Sequence, residues 1–457
     1  MNNIIQLFAE EGIKKLQQKV LSLVKEGQGL SSMVSEIKKE TDALGRALCI
    51  EVIEALDMAL IKDSSRKKKW YVERRNEEKS IITRLGEITY RRTYFSSKKG
   101  KVYRHLVDEI LDIGVHERID QEVYAELAEV ASDLSYRKTG KNVNEVSISG
   151  QTVMRSVRSI EKLKVEKFQH PKKIVETLYV EADEDHIALQ SGKCAMPRLI
   201  YVHEGITYER GRRALKSPYY LSSLKGKPKE LWQETFEYIE DNYEVDKIKT
   251  IYLSGDGALW IKTGLEYLPK AKFVLDKYHM SKYVTKATAH MQEYAIRVWD
   301  SLKEADLDEL GLVMNEIYFA TESDSKKREI KECYEYFKNN WEGIEIQERE
   351  YQKIVGCSAE GHNSHILAAR MSSRPMGWSI DGAEKMARLR AFKANQGKVI
   401  EFIRAQKKEE KHYEVTKKII KQTQTGLKTK IDEKLGNIEV FKNGKITWEY
   451  KVLKALV

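Results

Sequence analysis

Three acidic residues in this chain stand where a sheet and a helix would carry them to one place. Asp183 closes the apolar start of LYVEADEDHIALQ, Asp256 closes IYLSGDGALWI, and Glu360 opens the helix-like stretch in VGCSAEGHNSHILAARMSSRP. Two strands ending in aspartate, faced by a helical glutamate, form an all-oxygen donor set of the kind hard divalent cations prefer. Two Mg2+ (or Mn2+) ions about 4 Å apart in such a set activate an attacking oxygen and steady a leaving one, which is phosphodiester chemistry. Asp185 rivals Asp183 for the first position, because strand alternation puts both on one face. Each acid also has an ordinary explanation. Asp256-Gly257 is a common turn pair, Glu360 suits a helix N-terminus, and Asp183 lies in an acidic patch with Glu181, Glu184 and Asp185 that solvation alone would explain. A second constellation, Asp276-Lys277-Tyr278-His279, follows the run AKFVL. There Asp276 would help hold the site, and His279 would contact phosphate or a proton in transit.

Competing motifs fail. Gly255-Asp256-Gly257 starts like a dinucleotide fingerprint, but Trp260 occupies the third glycine position. His362 and His365 have the wrong spacing for a zinc-protease helix. The four cysteines, Cys49, Cys194, Cys333 and Cys357, include no C-x-x-C pair, which argues against a zinc ribbon or a disulfide framework and fits a reducing cytoplasm. The start MNNIIQLFAEEGIKK lacks the basic head and apolar stretch of a secretory signal. No apolar run is long enough to span a bilayer. A formal net charge of +10 and a pI near 9.0 favour a polyanionic partner, nucleic acid first. The expected location is therefore the cytoplasm, at the nucleoid, with no membrane role.

The elements that must position these residues follow from periodicity. At 457 residues the chain has room for roughly three domains. Residues 1–80 read as a helical N-terminal region, with apolar residues at helical spacing. Residues 81–170 read as a β-hairpin over 81–107, with SSKKGK as its turn, followed by a helix-turn-helix-like DNA-binding region. Residues 174–278 alternate strands with the amphipathic helix KELWQETFEYIEDNY. Three strands, a helix, a strand, a helix and a further strand is the order of an α/β ribonuclease-H-like core with a mixed sheet. Residues 279–355 are an all-α insertion, 356–410 the second part of the core, and 411–457 a C-terminal helix and a hairpin turning at Asn443-Gly444.

Candidate DNA contacts lie in two upstream places. Ser149 is a plausible cap for a helix exposing Gln151, Thr152, Arg155 and Arg158, the geometry of a recognition helix. An ordinary helical hairpin has the same pattern. The basic run with Lys67 and Lys68 reads either as a solvated helix face or as a phosphate contact on which Trp70 stacks.

The motifs TRLGEITYRRTYF, SYRKTG, YVEADEDHIALQ, LSGDGALWIK, LDKYHMSKYV and AEGHNSHILAARMSSRPMGWS, in this order across nearly the whole chain, resemble bacterial insertion-sequence transposases of the ISL-re type, carried as an uncharacterised protein family of Firmicutes and distantly related to Mutator-type DDE transposases. The resemblance implies an RNase-H-like core interrupted by helices, with Asp183, Asp256 and Glu360 as the metal-binding catalytic triad. It implies that Asp276 to His279 matches the Cys/Asp-x-x-His motif, and that Glu360 with Asn363 matches Glu-x-x-Asn. It also implies DNA as partner, both terminal inverted repeats and target DNA, and a homo-oligomer on paired ends. Arg370 and Arg374, near one helical face after Glu360, would hold end phosphates; Trp378 reads as core, the alternative being a stacking surface for an unpaired base. The expected activity is Mg2+-dependent DNA cleavage and joining. The rivals are an inactive DNA-binding regulator with the same fold and an RNase-H-like nuclease that hydrolyses without joining.

Overall fold

The computed structural model describes residues 13–27, 29–143, 145–161, 163, 171–209 and 211–406. The C-terminal helix and hairpin expected over 411–457 lie outside them. The chain forms two compact units. One comprises the described residues up to Val130, Tyr136–Val153 and those from Val399; the other comprises Ala131–Ser135 and Met154–Lys398.

The first unit opens with helices α1 (Ile13–Lys25), α2 (Leu30–Lys62) and the short α3 (Ser64–Lys69). Asp63 ends α2 and caps α3, accepting from the Arg66 N–H at 2.7 Å. Strand β1 (Trp70–Thr83) then pairs antiparallel with β2 (Gly86–Ser97). The helical reading of residues 70–80 therefore fails. This pairing buries Ile81, Ile88, Tyr90 and Phe95 against Leu56 and Leu60 of α2. Register shifts on either side of Arg74 break the alternation that would have announced a strand. SSKKGK does turn the chain, from β2 into β3 (Tyr103–Arg104). The short helix α4 (Leu106–Ile110) follows. Trp70 packs against the same core, so it supports the hairpin instead of offering a stacking platform.

Helices α5 (Gln121–Ala131), α6 (Tyr136–Asn142) and α7 (Gly150–Ser159) complete the upstream part. The approach to α7 passes directly over Gly140. A Cβ there would stand 1.9 Å from the Ile148 carbonyl oxygen, while the Ile148 N–H donates to the Gly140 carbonyl at 2.8 Å. Ser149 caps α7, accepting from the Thr152 N–H at 3.2 Å.

The second unit is built on a five-stranded mixed sheet. Its strands are β4 (Thr177–Glu184), β5 (Arg198–His203), β6 (Tyr219–Ser223), β7 (Thr250–Gly255) and β8 (Ala271–Leu275), in spatial order β6-β5-β4-β7-β8. β4, β7 and β8 are mutually parallel, β5 is antiparallel to β4, and β6 is antiparallel to β5. On β4, Leu178, Val180 and Ala182 enter the main core with Ile251 and Leu253 of β7 and Leu231, Trp232 and Ile239 of α8 (Pro228–Asn242). Alternation leaves Tyr179, Glu181 and Asp183 on the other face. Helices α9 (Lys277–Thr288), α10 (Ala295–Lys303), α11 (Leu307–Ala320), α12 (Asp324–Asn339) and α13 (Trp341–Arg349) form the expected all-helical stretch. The chain returns in α14, a helix over 359–371 whose middle turn, Ser364–Ala368, is π-helical, and continues into α15 (Ile380–Ala394).

The Gly140 contact is with backbone, which cannot swing aside. Gly140→Ala should therefore lower stability by about 1–3 kcal/mol, read as a drop in the denaturation midpoint. An unchanged midpoint would mean that the α6–α7 approach is not close.

Candidate active site

The strand register builds the site. Ser254 of β7 pairs with Glu181 of β4, and Gly255 of β7 pairs with Leu275 of β8. Two residues beyond Ser254 is Asp256, and two beyond Glu181 is Asp183, so the aspartates lie side by side where the adjacent parallel strands end. Asp276 comes next in the same row, its N–H donating to the Gly255 carbonyl at 3.0 Å. This edge lies at the reversal of strand order, where the carboxyl ends of β4 and β7 leave a crevice. Gly257 makes the turn after Asp256 possible. It has a φ of +91°, and a Cβ there would lie 2.2 Å from the Asn340 side chain. The Asp256 carboxylate accepts from the Ala258 N–H at 2.8 Å, and its backbone carbonyl accepts from the Tyr336 hydroxyl at 2.7 Å.

Asp183, Asp185, Asp256, His279, Glu360 and Asn363 line one cavity of about 530 Å³. The sequence-predicted acids and their accessory residues are thus brought together, apart from Asp276, which stands behind His279. Its carboxylate accepts from the Tyr278 N–H at 3.1 Å and pairs with His279 Nδ1 at 2.9 Å. Asp276 is thereby a positioning residue that fixes the imidazole. The Asp276 hydrogen bond, with Asp256 and Asp183 nearby, raises the His279 pKa above its ordinary value against the opposing effect of burial.

Glu360 reaches the cavity because α14 is pinned to β4 at two points. The Asn363 amide donates to Asp183 Oδ2 and to the Glu184 carbonyl, both at 2.9 Å. Upstream, Glu181 accepts from the Ser358 N–H at 2.5 Å, from the Tyr201 hydroxyl at 2.5 Å and, in the pairing with His203 Nε2, lies 2.9 Å away. Glu181 is only 2% exposed. Burial acts to raise its pKa, but the hydrogen bonds from His203, Tyr201 and Ser358 prevail and hold it below the usual carboxylate range. Sequence reasoning had left Glu181 in a solvated acidic patch. Its strand parity with Asp183 was the available signal.

Burial pushes the Asp183 carboxyl up to about 7, with the negative charge of Glu360 adding to the shift against hydrogen bonds from Glu184 and Asn363. Burial also raises Glu184 and Asp185. Among the described residues no group of three acidic, histidine or cysteine side chains stands close enough to hold one ion. The donor chemistry nonetheless fits a hard cation. Asp185 Oδ2 and Asn363 Oδ1 are buried without a hydrogen-bond partner, a costly state unless something electropositive faces them. Asp185 also accepts from the Ser372 hydroxyl at 2.9 Å.

The opposite wall is cationic. Helix α9 presents His279, Lys282, Tyr283 and Lys286 to the cavity, at the three- and four-residue spacing of one helix face. Lys286 pairs with Glu332 at 3.0 Å, while Lys282 has no ion-pair partner among the described residues. Tyr283 stacks on Tyr336 with ring centroids 3.6 Å apart. The sequence reading missed these four positions except His279; the helical period running from it was the clue.

The candidate DNA contacts do not all survive. Arg370 is 5% exposed, donates to the Ala131 carbonyl at 2.8 Å and lies over the Trp378 ring. It holds α14 in place and is withdrawn as a phosphate contact; Trp378 is core. Arg374 is exposed. On α7, Gln151 and Arg155 are exposed, whereas the Thr152 hydroxyl is engaged by Ser149 and Arg158 donates to the Ser379 hydroxyl at 2.5 Å. Lys67 and Lys68 are exposed. No helix of the described residues is long and apolar enough to cross a membrane.

The model of the Uncharacterised protein family (UPF0236) matches residues 23–412, and the chain belongs to this family. Several UPF0236 proteins of Caldanaerobacter subterraneus subsp. tengcongensis are 43% identical over 436 residues, covering 95% of this chain and 93–94% of two of those relatives. Another from the same organism, 42% identical, carries a name that joins eleven locus designations. A UPF0236 protein in the vanSb 3′ region of Streptococcus gallolyticus is 23% identical over 391 residues, 82% of this chain and 85% of its own length.

The raised Asp183 pKa has a sign. Its contribution to stability is fully present below the ordinary value of 3.8 and is lost as pH rises through about 7, an effect on the order of 4 kcal/mol. In EDTA, the melting temperature should fall between pH 5 and pH 8, and Asp183→Asn should flatten that fall and be the more stable protein at pH 8. A variant no more stable than the parent at pH 8 contradicts the burial argument.

Proposed function

We propose that this chain is a DNA transposase that cleaves element ends and joins the freed 3′-hydroxyl to target DNA. The observation that carries the reading is the register-matched pair Asp183 and Asp256 at the ends of adjacent parallel strands, with Glu360 lining the same cavity. The sheet supports an RNase-H-like core. Numbered from β4, its spatial order is 3-2-1-4-5, with only the second strand reversed against the first, fourth and fifth. A relative whose name spans eleven loci of one genome is what a dispersed, self-copying element would leave behind.

In this reading Asp183, Asp256 and Glu360 hold two Mg2+ or Mn2+ ions, with Asp185 and Asn363 offering their unpartnered oxygens beside them. Bound metal supplies charge neutralisation at the scissile phosphate and activates the attacking oxygen. The protein's own part is positioning and electrostatics. Asn363 orients Asp183, and Glu181 fixes the segment before Glu360. Asp276 holds His279 so that its second nitrogen is available to a phosphate oxygen or a leaving-group proton. Lys282 and Lys286 face the backbone phosphates. No nucleophilic side chain has to bond to DNA.

Asp183→Asn, Asp256→Asn and Glu360→Gln should each reduce Mg2+- or Mn2+-dependent nicking of end-containing DNA by at least about a hundredfold, while binding of the same DNA persists. Near-normal nicking by any one of them removes that residue from the triad. Strand-transfer products on target DNA separate a transposase from a hydrolysing nuclease, and a parent protein that binds ends but never nicks them is a regulator. Separately, Glu181→Ala should lower the nicking rate through Glu360 while leaving divalent-metal dependence in place; an unaltered rate dissociates the Ser358 anchor from activity.

A further inference from the structure

We infer that the open end of the β1–β2 hairpin is a sequence-independent docking surface for the phosphate backbone of duplex DNA. This rests on DNA being the substrate, as proposed above, but not on the acidic site. Trp70 pairs with Ser97, and the ladder runs one step further, with the Lys98 N–H donating to the Lys69 carbonyl at 2.9 Å. That step brings two lysine groups to one place: Lys67, Lys68 and Lys69 before β1, and Lys98, Lys99 and Lys101 after β2. All six are exposed, and none forms an ion pair with a described residue. Glu73, the acid of β1 closest to them in sequence, already accepts from the Ser96 hydroxyl.

Neighbouring strands lie about 4.8 Å apart, and the Debye length at physiological salt is about 8 Å. The fields of the two lysine groups therefore add instead of being screened one from another. Such a concentration of like charge is unfavourable in isolation and is relieved by a polyanion. The chemistry favours a duplex backbone over unpaired bases. The exposed rings at this end are already engaged, Tyr71 beneath Lys98 Nζ at 4.5 Å and Tyr103 stacked on Tyr94 at 5.7 Å. The six are all lysines, point charges suited to phosphate oxygens, and phosphate contacts carry no sequence information, so the surface should accept any sequence.

The test is a salt titration of the full chain in EDTA, following anisotropy of a short random-sequence duplex, the matching single strand, and phosphatidylserine vesicles by co-sedimentation. Replacing Lys67, Lys68, Lys98 and Lys99 together by Gln should weaken duplex binding and reduce the slope of log K against log salt by about three to four. The same four changed to Arg should keep the slope. An unchanged duplex slope overturns the inference, as does a loss confined to the single strand or to the vesicles. Nicking of end-containing DNA by the parent in Mg2+ is read separately from the salt slope, so a failure of the catalytic reading and a failure of this surface give different results.

Discussion

The parallel pairing of β4 with β7 is the constraint on which the acidic crevice of the second unit depends. Backbone pairing fixes Asp183 beside Asp256 regardless of the charge they carry. The ladder's hydrogen bonds and the apolar side of the sheet, with Leu178, Val180, Ile251 and Leu253 buried beneath, hold the strands in register. Burial of Asp183, with the charge of Glu360 added to it, keeps that carboxyl protonated to about neutrality. The row of acids is thus set by the backbone, before any side-chain contact is made.

The third acid depends on a different kind of bond. Glu360 is far from both aspartates in sequence, and its helix is tied to β4 by polar contacts: Glu181 on Ser358 and Asn363 on Asp183. Buried polar networks of this sort are strongly directional, because an unpaired member is expensive. Tyr336 makes a comparable tie from α12 to the Asp256 carbonyl, and its stacking on Tyr283 joins α12 to α9. The helices following β8 are therefore also the cavity's far wall, and they bring its lysines.

Much of this was legible in the sequence. The apolar-rich runs before Asp183, Asp256 and Asp276 are largely buried parallel strands, short and rich in β-branched and aromatic residues. Their order was readable because each is bounded by turns and by one amphipathic helix. Residues 70–80 were misread because a bulged, highly charged strand has neither alternation nor a hydrophobic run, and its pairing partner supplies the apolar face. Arg370 was misassigned for a related reason. Helical spacing tells which residues share a face, but only tertiary packing says whether that face meets solvent or the Ala131 carbonyl. Glu181 was the converse case, an acid whose burial depends on Tyr201, His203 and Ser358, all remote in the chain.

The placement of α14 has a consequence for synthesis. Ribosomes deliver β4, β7 and β8 first, and the sheet can pair as soon as β8 has emerged. The glutamate-bearing helix arrives only after α9 to α13 have been made. During that interval a nascent chain has both aspartates in register, and the wall of α9 facing them, but neither Glu360 nor Asn363. A product terminated after β8 but before residue 360 would carry β4, β7 and β8 without the glutamate.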